Sequence, residues 1–282
     1  MNHADVFFDS DDALALYARD YAGPSPRAPV VLCLHGLTRN SKDFWRIAEH
    51  LQATARVIVP EMRGRGRSAR DPNPANYRLD RYVRDVLGLM DQLGIARAHL
   101  IGTSMGGLIS MLLLHLAPAR VASIIFNDIG PEIDPAGLMR IASYAGKNMA
   151  VPDWEAAAAQ VRAGNDVAFL DYTAADWHAM ACDLFVQRGA RIELDYDPAI
   201  AQGLSDGSVA PDLWPVFRAL EARPMLVVRG EVSDILSRAT VERMRAERAD
   251  LQVVHVERRG HTPTLVEPAA RRAIDAFFQS QM

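Results

Sequence analysis

Cysteine and lysine are scarce in this chain, and a long unbroken apolar run is missing. The two cysteines stand far apart, Cys33 inside the apolar run 30–34 and Cys182 well downstream. Neither a disulfide framework nor a metal-ligand spacing can be read from them, so both are expected to be packed or partly exposed thiols. Lysine occurs only at Lys42 and Lys147 among 31 basic residues, an arginine bias that suggests a GC-rich bacterial genome. The longest apolar stretch, 105–117, is interrupted by Gly106, Gly107, Ser110 and His115 and is too short to span a bilayer. Residues Met1 to Asp5 carry neither the basic nor the apolar region of a secretory signal, which makes a cytoplasmic protein the expectation. With a net charge of −4, the chain has no global electrostatic attraction to nucleic acid or an anionic membrane, and neither is expected as a partner.

What the chain does contain is apolar material for one large core, at 49% of 282 residues, with room for a substantial insertion. Apolar, β-rich runs at 30–34, 56–59, 98–102, 122–127, 224–229 and 251–256 are mostly separated by stretches of helical period. That alternation is the pattern of βαβ units around a buried parallel sheet. Two short strands at 6–8 and 14–18, with Asp9-Ser10-Asp11-Asp12 as the turn, predict an opening hairpin. Helices are expected near 41–53, 79–93, 105–117, 212–221, 237–249 and 264–280, with Ser41 as an N-cap and Gly94 closing the second. Between Asn127 and Pro224 the alternation lapses, which predicts a helical insertion over 131–211 and a core formed by 1–130 and 212–282. The insertion holds twelve acidic and five basic residues, so an acidic cap over a mildly basic core is expected.

Gly102-Thr103-Ser104-Met105-Gly106 follows the apolar run His99-Leu100-Ile101 and precedes a segment of helical period. It fits G-x-S-x-G, in which a serine sits on a sharp strand-to-helix turn. The flanking glycines remove the Cβ atoms that would clash there. On this motif the chain resembles the α/β-hydrolase superfamily, along essentially its whole length. The resemblance implies a mostly parallel, eight-stranded α/β sheet flanked by helices, a helical cap insertion, and Ser104 as nucleophile.

His35-Gly36-Leu37-Thr38 is similar to the superfamily's H-G-x segment. Carried over, the backbone N–H groups of Leu37 and Met105 would form the oxyanion hole. His35 itself reads as a brace for this loop, with a place in the substrate pocket as the alternative. Pro60 to Ser68 resembles the family's P-D-x-R-G-x-G-x-S loop, with Glu61 where aspartate is common. That assigns the run Arg63-Gly64-Arg65-Gly66-Arg67 to architecture rather than to single-stranded nucleic acid.

A serine hydroxyl needs a base within hydrogen-bond reach. His261, between the last strand-like run and the last helix, stands where the family supplies it. His99, His115 and His255 fall in or beside strands and helices and read as packed or surface residues. The acid is expected after the penultimate strand, at Asp234, which satisfies the chain order Ser, Asp, His. Glu231 in the same loop and Asp128, after the strand that follows the nucleophile helix, are the alternatives.

Serine rather than aspartate at the elbow argues against the epoxide hydrolase and dehalogenase branches. Hydrolysis of a carboxylic ester or lactone through an acyl-serine is the favoured reading, with no metal and no organic cofactor. A carbon–carbon hydrolase of the kind that acts on ring-fission products is a second reading, although Thr262 follows His261 where those relatives commonly have tryptophan. A non-catalytic ligand-binding protein of the same fold is a third. The insertion's Met139, Tyr144, Met149, Trp154, Phe169, Trp177 and Met180 supply apolar surface, and Trp154, Trp177 and His178 are candidate pocket residues. An apolar small-molecule ester, lactone or related carbonyl compound is the expected partner, bound by a monomer or a homodimer.

Overall fold

The computed structural model of the chain describes residues 3–147, 150–202 and 212–281; Met149 and the 203–211 end of the expected insertion lie outside the described residues. Strands β1 (Ala4–Asp9) and β2 (Ala15–Tyr21) form the expected antiparallel hairpin. In its turn, Ser10 Oγ both donates to Asp12 and accepts from the Leu14 N–H. Then come β3 (Val30–Leu34), α1 (Trp45–Leu51), β4 (Arg56–Glu61), α2 (Leu79–Gln92), β5 (Ala98–Thr103), α3 (Met105–Leu116) and β6 (Val121–Asn127). The next stretch carries α4 (Pro135–Tyr144), α5 (Trp154–Asn165), α6 (Ala174–Leu184) and the antiparallel pair β7 (Phe185–Arg188) and β8 (Arg191–Leu194). The chain returns through α7 (Trp214–Ala219), β9 (Met225–Gly230), α8 (Arg238–Glu247), β10 (Gln252–Val256) and α9 (Pro268–Gln279).

Eight strands make one sheet in the order β1-β2-β4-β3-β5-β6-β9-β10. β1 and β2 pair antiparallel, β2 runs antiparallel to β4, and every later pairing is parallel. Because side chains alternate across a strand, β3 sends Leu32 and Leu34 to one face and Val31 and Cys33 to the other. The first face packs against α2, α3, α7 and α8, the second against α1 and α9, so the central strands are covered on both sides. That is why they read as continuous apolar runs. Residues 151–194 bury a separate cluster of their own, centred on Phe169, Trp177, Met180 and Phe185.

Helix ends follow local chemistry. Gly94, at φ +64°, lets its own N–H reach Asp91 O and the Ile95 N–H reach Met90 O, closing α2 as expected. Ser41 is not the N-cap expected of it. Asn40 caps the short 3-10 turn ahead of α1 by accepting from the Lys42 N–H, while the Ser41 hydroxyl donates to Glu61 Oε1 at 2.6 Å.

The arginine–glycine run is structural. The Arg63 side chain, fully buried, donates to both oxygens of Asp85, to Asp71 and to Asp12, and so ties the β4 loop to α2 and to the opening hairpin. Removing this cation strands two nearly buried carboxylates, at 3% and 2% side-chain exposure, without their partner. Arg63→Ala is therefore expected to lower the unfolding free energy by about 3–5 kcal/mol in urea titration. A loss below 1 kcal/mol would show that the network contributes little.

Candidate active site

The loops after β3, β5, β6 and β10 leave the same edge of the parallel sheet, the edge at which open α/β sheets gather their ligands. β5 and β6 are in register from His99↔Ser123 to Thr103↔Asn127, so Ser104 and Asp128 are the first residues beyond one matched pair. Both have positive φ, +50° at Ser104 and +55° at Asp128. For serine this conformation costs on the order of 1–3 kcal/mol and persists only if its surroundings impose it. Two glycines impose it here. A Cβ on Gly102 would strike the Gly106 carbonyl, and one on Gly106 would strike the Leu34 carbonyl, so α3 starts hard against β5 and β3.

From this turn Ser104 Oγ lies 2.8 Å from His261 Nε2, and His261 Nδ1 lies 2.9 Å from Asp128 Oδ2. Asp128 is fully buried, and its oxygens also accept from the Gly230 N–H at 2.8 Å and the Ser233 hydroxyl at 2.6 Å. An acceptor so occupied fixes Nδ1 as the protonated ring nitrogen and leaves the Nε2 lone pair for the serine hydroxyl.

The expectation for Asp234 is corrected by this geometry. Its carboxylate is held bidentately by Arg140 of α4, at 2.5 and 2.9 Å, while the histidine bonds Asp128 instead. Partial burial works against ionisation, yet the Arg140 guanidinium holds the Asp234 carboxyl below its ordinary value. Glu231 is likewise committed elsewhere, accepting from the Arg258 N–H. The end of β9 and the loop after it do contribute to the site, but through the Gly230 N–H and Ser233 rather than through an acid.

On the other side of Ser104 runs the loop after β3. A methyl group on Gly36 would lie 3.7 Å from Ser104 Cβ, and Leu37 lines the same cavity as the serine. Met105 is the first residue of α3, and no described residue accepts from its N–H or from that of Leu37. His35 is a brace, not a pocket residue: its Nδ1 donates to Gly36 O, and its Nε2 accepts from the Met62 N–H. Burial, with the Arg65 charge second, pushes the ring down to about 3, so it stays neutral and able to play both parts.

A cavity of about 430 Å³ opens on Ser104 and His261, walled by Leu37, Ile141, Tyr144, Phe169, Met180 and Tyr196 among others. Trp154, Trp177 and His178 do not line it. Trp177 is buried in the separate cluster, with its ring 4.9 Å from that of Tyr172. Trp154 and His178 stand edge to face, 6.5 Å apart, and His178 is exposed. Met139 faces outward, at 68% exposure. Helical period alone could not say which face of α5 and α6 would turn to the site.

Residues 168–172 also clamp the histidine loop. The Gly260 N–H donates to Ala168 O at 2.6 Å, and the Arg259 guanidinium packs against the Phe169 and Tyr172 rings while pairing with Asp171 and Glu267. At the cavity wall, burial and then the Asp43 charge raise the Asp183 carboxyl to about 6. The described residues contain no cluster of histidine, cysteine and carboxylate groups fit to hold a metal ion.

The chain matches the family described as alpha/beta hydrolase fold over residues 29–268. It is 35% identical to a 3-hydroxybutyrate-oligomer hydrolase of Cupriavidus necator, an alignment covering 88% of each chain. It is 28% identical to a 2-(acetamidomethylene)succinate hydrolase of Mesorhizobium japonicum, over 85% of this chain and 84% of that one. A solved α/β hydrolase from Novosphingobium aromaticivorans superposes with a TM-score of 0.93 at 41% identity, covering 99% of this chain and 98% of that one.

Two measurements follow from the geometry. Asp128→Ala is expected to lower kcat by about 10³- to 10⁴-fold. Because the folded-state value of Asp183 lies above its ordinary one, Asp183 costs stability as pH rises from about 4 to about 6 and beyond, and costs none below. Asp183→Asn should then be more stable than wild type by about 1–3 kcal/mol at pH 8, with the gain gone near pH 4. A gain independent of pH would contradict this account.

Proposed function

Since the chain belongs to the α/β-hydrolase fold family, we propose that it is a serine hydrolase that cleaves carboxylic esters through an acyl-Ser104 intermediate. His261 is the base, and Asp128 is the acid that orients it. The observation that carries this reading is the unbroken chain of contacts from Asp128 Oδ2 through His261 to Ser104 Oγ.

In the first half-reaction His261 Nε2 takes the Ser104 proton as Oγ adds to the ester carbonyl. The negative oxygen is received by the Leu37 and Met105 N–H groups, and the imidazolium returns its proton to the leaving alkoxide. In the second half water, deprotonated by the same histidine, releases the acid and restores Ser104. Asp128 stabilises the transient imidazolium without taking its proton. Residues 131–211 serve as the cap that shapes the cavity over a core of 1–130 and 212–282.

The substrate class is a short ester of a hydroxy acid. Support comes from the likeness to the Cupriavidus necator relative, named for hydrolysis of 3-hydroxybutyrate oligomers, and from a cavity whose walls mix apolar side chains with charged ones. Lactones of similar size fit the same chemistry. Carbon–carbon cleavage is the second reading, and Thr262 after His261 counts against it.

Wild-type protein is expected to be labelled by a fluorophosphonate and to hydrolyse both p-nitrophenyl butyrate and the linear dimer of 3-hydroxybutyrate. Ser104→Ala should lose the label and at least about 10³-fold of each activity. Labelling or turnover that survives in Ser104→Ala would overturn the reading.

A further inference from the structure

Three arginines border the cavity, and their commitments differ. Arg259 is closed by Glu267 on Nε and by Asp171 on Nη1. Arg46 is 41% exposed at its side chain, lies over the Trp45 ring and faces Asp183 at 3.7 Å. Arg39 is bound at one edge only. Its Nε donates to both oxygens of Asp43, at 2.9 and 2.7 Å, and no described residue accepts from either Nη group.

The Arg39 stem also lies beside the nucleophile turn. A methyl group on Gly36 would meet Arg39 Cγ at 3.4 Å and Ser104 Cβ at 3.7 Å, so the arginine stem and the serine flank the same glycine. The side chain is 24% exposed, which puts the guanidinium mostly out of bulk water. There a charge-assisted hydrogen bond gains strength. Asp43 holds the Nε edge and thereby fixes the plane of the fork, leaving the two Nη groups as donors for a planar anion.

We propose that Arg39 binds the free carboxylate of the substrate, so that the enzyme selects esters whose leaving group is a hydroxy acid over their neutral counterparts. This rests on the acyl-Ser104 reading and names the end of the substrate that is recognised. In an oligomer of a 3-hydroxy acid, the free carboxylate sits on the leaving unit, four bonds from the scissile carbonyl carbon. A residue beside the oxyanion loop is placed to reach it. Ser104 Oγ bonds to the acyl carbon, the bond to the leaving oxygen breaks, and His261 supplies the proton that makes it a hydroxyl. The hydroxy acid then departs from Arg39 before water releases the acyl group.

The test compares the linear 3-hydroxybutyrate dimer with its methyl ester, read as the ratio of kcat/KM values for cleavage of the internal ester within each protein. Wild type should prefer the free acid by roughly tenfold or more, and Arg39→Gln should reduce that ratio by roughly 10- to 100-fold, with Arg39→Lys between them. A wild type indifferent to the methyl group, or a ratio unchanged in Arg39→Gln, overturns the proposal. Should Arg39→Gln not fold, wild type alone decides through inhibition of p-nitrophenyl butyrate turnover. Butyrate binding at least tenfold tighter than butyramide supports the proposal, and equal binding overturns it. If p-nitrophenyl butyrate is hydrolysed and the dimer is not, the oligomer reading fails, and the inhibitor pair still decides Arg39.

Discussion

The start of α3 is pressed against the Leu34 carbonyl of β3, leaving no space for a side chain at Gly106. From this contact the rest of the site follows. It forces the chain to leave β5 in a turn that only a residue at φ +50° can complete, and that residue is Ser104. It brings Gly36 and Leu37 alongside the serine, because β3 ends where α3 begins. It also leaves the first N–H groups of an apolar helix, buried over most of its length, beside the nucleophile, where they favour negative charge. The strain at Ser104 is sustained by a sheet covered on both faces.

Against this rigid turn, the hydrogen-bonded chain to Asp128 is assembled from distant segments. Asp128 leaves β6 one residue past its pairing with β5, Gly230 ends β9 and Ser233 comes from the loop after it, and His261 follows β10. A fully buried carboxylate is costly unless it is well solvated by donors, and here three donors converge on it. The histidine loop gains a further restraint from 168–171, so the segment that walls the cavity also holds the base in place. Arg140 and Asp234 join α4 to the loop that carries Ser233. The acid once expected to orient the base thus ties the cavity wall to the core.

Strand positions and the elbow were legible because buried parallel strands and a serine between two glycines leave one-dimensional patterns. The acid was not, because its identity turns on which of two strand-end loops reaches His261, and both end in an aspartate. A signal existed in the pairing of β5 with β6, since Ser104 and Asp128 each follow one matched pair, but register is not written in composition. The pocket was misassigned for a related reason: Trp154, Trp177 and His178 lie on helices whose apolar residues pack on one another. Tyr144, Phe169 and Met180, from the same stretch, do reach the cavity. Arg39 went unnoticed because an arginine in a loop resembles any solvated charge until its neighbours are known.

The central claim is that Ser104 carries the acyl group, and it is tested most directly by catching that group. Wild-type protein mixed with p-nitrophenyl butyrate, quenched in acid within milliseconds and digested, should yield a peptide containing Ser104 that is heavier by one butyryl group. The adduct should form in step with an initial burst of p-nitrophenol. Full turnover with no burst and no acylated Ser104 peptide would contradict the account.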